Sequence, residues 1–115
     1  MTRQEAKRIL CVSQSPSHLK ELCCAIASVA YEAVPASSPE QAVACCSGNR
    51  LSAVVMDSEF FAERGWSVAQ SLKMVNPGIL IFLMEKGHNG DIPDGIDAVA
   101  TTIARMLQQL KACFA

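Results

Sequence analysis

Aromatic residues make up only 5% of the 115-residue chain, and there are two histidines, His18 and His88. So few rings leave little on which a flavin could stack. Glycine and proline, six and five residues, are too few for a low-complexity chain. Neither sign of charge dominates: ten Lys and Arg against eleven Asp and Glu give a net charge of -1. That balance excludes the basic surface that tracks nucleic-acid phosphates. No apolar run approaches the ~20 residues that span a bilayer, so no membrane contact is expected. The charged start, Met1 to Arg8, leads into an apolar run that ends at Ser13. This is too short for a secretory signal, and the cytoplasm is the expected location. No C-x-x-C spacing occurs among Cys11, Cys23, Cys24, Cys45, Cys46 and Cys113. Neighbouring cysteines on a helix point about 100° apart, a poor start for a chelate. The six are therefore read as small core residues.

What the chain does have is a high apolar content, 50%, in a length that suits one domain, residues 1–115, around one core. Strand and helix patterns alternate along it. Arg8 to Val12 reads as a strand running into Ser15-Pro16, a cap and first turn for a helix whose Leu19, Leu22, Cys23, Ile26 and Val29 share a face. Tyr31 to Val34 reads as a second strand closed by Pro35. Ser38-Pro39-Glu40-Gln41 is a capping box opening a helix with Ala42, Val43 and Cys46 inward and Gly48-Asn49 at its end. Ser52 to Met56 is a third strand that delivers Asp57. After a loop, Val68, Leu72 and Val75 mark another helix, stopped by Asn76-Pro77-Gly78. Ile79 to Met84 is apolar at every position, as in a strand buried on both faces.

Lys86 to Gly95 carries the Gly, Asp and Pro of a loop where the alternation calls for a helix. A short strand, Asp97 to Ala100, precedes an amphipathic helix bearing Ile103, Met106, Leu107, Leu110 and Phe114. The order predicts a three-layer α/β/α sandwich. Its five-stranded parallel sheet is flavodoxin-like, and the fourth helix is shortened or missing. In such sheets ligand chemistry gathers at the carboxyl ends of the strands. Those ends carry Ser13-Gln14, Asp57, Met84-Glu85 and Thr101-Thr102.

From Arg8 to the last helix the chain resembles a response-regulator receiver domain (CheY-like), the phosphoacceptor module of bacterial two-component signalling. The best-matched segment runs from Ala53 to Gly65, with Asp57 at the strand end and the glycine eight residues on. Arg8-Ile9-Leu10-Cys11-Val12 is similar to the receiver's first strand, and Pro16 to the proline that often follows its acidic pair. The resemblance implies that Asp57 is the phosphoacceptor, working or relic. The family's acidic pair, which holds Mg²⁺, falls on Ser13 and Gln14. Its hydroxyl after the fourth strand falls on Met84, its lysine after the fifth on Thr102, and its aromatic switch position on Val99. Mg²⁺ prefers an octahedral shell of hard oxygens, and here only Asp57 and, as a substitute, Glu59 are candidates to supply carboxylates. Phosphoryl transfer also needs fixed positive charge, for which Lys86 and Arg64 are the candidate replacements.

The expectation is an atypical receiver, or pseudo-receiver, that is not an enzyme, takes no cofactor and works through protein contacts. Its partner would be a histidine kinase, another regulator or a second copy docked through the last helix. No output domain is expected after that helix. One alternative is a phosphorelay receiver phosphorylated on Asp57 with Mg²⁺. Another is a flavodoxin-like small-ligand binder holding phosphate with Ser13, Ser15 and Ser17 at a helix N-terminus. His18 is read as a surface histidine or a pH-sensitive contact, and His88 as a loop residue.

Overall fold

The computed structural model describes residues 7–48, 50–87 and 90–114. Five parallel strands, β1 (Arg8–Val12), β2 (Glu32–Ala36), β3 (Ala53–Asp57), β4 (Leu80–Met84) and β5 (Ala98–Ala100), form one sheet in the order β2-β1-β3-β4-β5. β3 is buried along its whole length, and β4 is buried at its three central positions. This is why neither strand shows polar alternation: each is covered on both faces.

Helices α1 (Pro16–Ser28) and α5 (Ile103–Phe114) lie on one face of the sheet, and α2 (Pro39–Gly48) and α4 (Trp66–Val75) on the other. On the first face Ile9, Cys11, Val55 and Phe82 pack against Leu22 and Ile26 of α1 and Met106 and Leu110 of α5. On the second, Leu10, Val54, Ile81 and Leu83 pack against Ala42, Cys46, Val68 and Leu72. The apolar face of α5, with Leu110 buried and Leu107 and Phe114 partly so, packs on the sheet.

The helix boundaries follow their caps. Ser15 caps α1 by accepting the His18 N–H, with Pro16 at the first helical position. In the capping box of α2, Ser38 Oγ accepts the Gln41 N–H, while Gln41 Oε1 reaches back to the Ser37 N–H. Val29 lies beyond the end of α1 as its C-cap instead of on its face. Pro35 does not close β2 but lies inside it. The strand is an edge paired only to β1, so proline costs no ladder bond on the open side. The cysteines divide: Cys11 and Cys46 are buried, Cys23 and Cys45 partly so, and Cys24 and Cys113 are exposed, which corrects the expectation that all six fill the core.

Two connections differ in kind from the others. No loop follows β3: the chain enters a single turn, α3 (Ser58–Phe60), then a π-helical turn (Phe61–Gly65) that runs into α4. Between β4 and β5 the described residues form turns and bends without helix. In place of a helix, Asp97 Oδ2 accepts from the Ile81 N–H at 2.8 Å and from Lys73 Nζ at 2.7 Å, while the same Nζ donates to the Ile79 carbonyl. These bonds fasten the loop to β4 and to the end of α4. His88 and Asn49 lie outside the described residues.

Candidate functional site

Because strand side chains alternate, Val55 and Asp57, and Phe82 and Met84, follow one another toward the α1/α5 face, and Ser13 follows Cys11 just past the end of β1. The register sets Asp57 opposite Met84 and Met84 opposite Ala100. One row at the carboxyl ends therefore brings Ser13, Asp57 and Met84 together, with Thr102 two residues beyond Ala100. The chain leaves β1 for β2 on one side and β3 stands on the other, so Ser13 and Asp57 flank the crevice where this strand order reverses.

Asp57 is 9% exposed and Ser13 fully buried. Both carboxylate oxygens are engaged within the chain. Oδ1 accepts the Phe60 N–H at 2.8 Å, making Asp57 the N-cap of α3. Oδ2 accepts the Ser13 hydroxyl. Ser13 Oγ in turn accepts the Ser15 N–H at 3.1 Å, and the Ser13 N–H donates to the Ala36 carbonyl. A third group borders the carboxylate: His18 Nδ1, on a half-exposed side chain, stands 3.8 Å from Oδ2. Serine, histidine and aspartate are thus adjacent, but both partners face the same carboxylate oxygen. A nucleophilic relay needs the histidine between the other two.

The remaining positions are committed elsewhere. Thr102 Oγ1 accepts the Arg105 N–H and caps α5. Met84 is partly buried against the α1/α5 core and stands opposite Asp57 in the strand register. Gln14, Glu59, Arg64 and Lys86 are exposed. Among the described residues the basic side chain within 4 Å of the Asp57 carboxylate is His18, not Arg64 or Lys86. Ser15 Oγ lies 3.1 Å from Ser17 Oγ and caps α1. Val99 is partly buried, and its carbonyl accepts from Gln109 Nε2. Elsewhere, a shallow groove of about 470 Å³ between Val43 of α2 and Val68 of α4 lies on the opposite face of the sheet.

No family model and no curated protein matches this sequence. Solved structures do match. The chemotaxis response regulator CheY4 of Vibrio cholerae is similar at a TM-score of 0.81 and 14% identity, over 94% of this chain and 98% of that one. The receiver fold is the fold of this chain. The receiver domain of a sensor histidine kinase from Pseudomonas aeruginosa PAO1, with a magnesium ion in its active-site cleft, matches at 0.79 and 19% identity over 94% and 97%. The response regulator TrrA of Thermotoga maritima, in complex with Mg²⁺ and BeF, matches at 0.77 and 20% over 92% and 97%.

Mg²⁺ requires near-octahedral oxygen coordination and is held through carboxylates. Among the described residues, the carboxylate that Asp57 brings to the crevice has both oxygens hydrogen-bonded, one of them by the neutral Ser13 hydroxyl. Among the described residues no three His, Cys, Asp or Glu side chains converge on a metal position. The residues present do not fit the ion. The structure brings Asp57 and Ser13 into contact, sets Met84 beside Asp57 in register, and adds His18, which the sequence offered as a surface histidine or a pH-sensitive contact. The available signal was position: His18 is the third residue after the cap of the helix that follows β1, on the turn above the strand ends.

Proposed function

We propose that the chain is an atypical receiver-like signalling module that acts through protein–protein contacts, with little or no Mg²⁺-dependent phosphorylation of Asp57. The observation that carries this reading is the state of the Asp57 carboxylate. An acceptor needs a free oxygen and a neighbouring cation to screen the incoming phosphoryl group. Asp57 instead has Oδ1 in a helix cap and Oδ2 on the buried Ser13 hydroxyl. The module is not an enzyme in this reading. It works in the cytoplasm, and no described helix is long and apolar enough to cross a membrane. Its partner is a histidine kinase or another regulator that recognises the fold in one fixed state.

Incubation with acetyl phosphate and millimolar Mg²⁺, followed by intact mass and peptide mapping, tests the reading. The expected result is no phosphoryl adduct on Asp57. Stoichiometric adduct formation that is lost in Asp57→Asn would establish the phosphorelay receiver instead.

A further inference from the structure

The mismatch between this crevice and Mg²⁺ has a positive counterpart in Ser13. Its side chain is fully buried at the end of β1, on the same face as Asp57. Its hydroxyl donates to Asp57 Oδ2 and accepts the Ser15 N–H, while its own N–H donates to the Ala36 carbonyl of β2. One residue therefore ties together the end of β3, the turn that opens α1 and the end of β2. We propose that Ser13 stands where a cation would link these elements, so that Asp57 serves as an acceptor of hydrogen bonds that fixes the β1–α1 turn, independent of metal.

Two physical consequences separate this arrangement from a cation pocket. Clustered carboxylates without their ion repel one another, so neutralising one of them relieves strain. The partners that Asp57 has among the described residues are two hydrogen-bond donors and the His18 imidazole. Neutralising it removes attraction. Removing the Ser13 hydroxyl likewise leaves a buried carboxylate oxygen short of a donor, and such a loss is destabilising.

The inference rests on the receiver-like reading above but fails separately from it. Thermal unfolding of the full chain is followed for the wild type, Ser13→Ala, Asp57→Asn, their double variant and Ser13→Asp, each with and without millimolar Mg²⁺. Ser13→Ala is expected to lower Tm by on the order of 4 °C. Asp57→Asn is expected to lower it too, and the double variant by less than the sum, because the two share one bond. Mg²⁺ leaves the wild-type Tm unchanged. Ser13→Asp, which sets a second carboxylate against Asp57, loses stability that Mg²⁺ restores. A rise in Tm for Asp57→Asn, or a wild-type Tm that climbs with Mg²⁺, would overturn the proposal. A phosphoryl adduct formed with Tm unmoved by Mg²⁺ would sink the functional reading alone.

Discussion

At the scale of single residues, burial decides what a side chain can do chemically. Cys11 is fully buried beneath α1, and this burial, reinforced by the neighbouring Cys23 thiol, pushes its pKa far above the ordinary thiol value of 9.0. Burial pushes Cys46 up as well. Both are held as protonated, inert thiols, whereas Cys24 and Cys113 are exposed. A thiol reagent applied to the native protein should modify Cys24 and Cys113 first and Cys11 last. In the unfolded chain these thiols release protons as pH passes about 9, while folded Cys11 keeps its own, so the native state binds more protons and stability falls as pH rises. The fall is about 1.4 kcal/mol per pH unit for such a thiol. Denaturant titrations across that range should show a shallower alkaline decline in Cys11→Ala than in the wild type. Asp57 was legible in the sequence because a polar residue closes an apolar strand; its engagement by Ser13 was not. A serine after a strand looks the same whether it faces water or a carboxylate. For the same reason the sequence left His18 as a surface residue or a pH-sensitive contact: being half-exposed and bordering a site are compatible.

At the scale of elements, the strands and the longer helices could be read from apolar runs and caps, because those signals are local. The passage from β3 into α4 could not. Asp57 caps α3 through the Phe60 N–H, and a π-helical turn continues the helix where the sequence suggested a loop. A π turn inserts a residue without any residue type that announces it. The loss of a helix between β4 and β5 was legible, since glycine and proline oppose helix there, but not its replacement. Asp97 and Lys73 are 24 residues apart and meet only once the sheet has formed. Asp97→Ala should cost about 1–3 kcal/mol by leaving the Ile81 N–H without its acceptor and Lys73 with the Ile79 carbonyl but no carboxylate, measured by urea unfolding. The α5 face offers a stronger test of packing. Leu110 is fully buried against the sheet, and Leu110→Ala should cost about 2–5 kcal/mol. A cost near zero would mean that α5 is not docked as described.

At the scale of the whole molecule, the receiver fold determines which residues meet at the carboxyl ends of its strands. The strand order and the crevice at β1 and β3 still gather Ser13, Asp57 and Met84, because register and side-chain alternation place them there whatever their identity. What the crevice does then depends on the groups it holds, and here the Ser13 hydroxyl and the Phe60 N–H both donate to the Asp57 carboxylate. The most direct measurement is an NMR amide titration of the full chain with Mg²⁺ and then beryllofluoride, a mimic of the aspartyl phosphate, with Asp57→Ala as control. No saturable shift around Asp57, Ser13 or Thr102 at millimolar Mg²⁺, with or without beryllofluoride, is the predicted result. Saturable shifts at those amides in the wild type, absent from Asp57→Ala, would contradict it and make the chain a working phosphoacceptor.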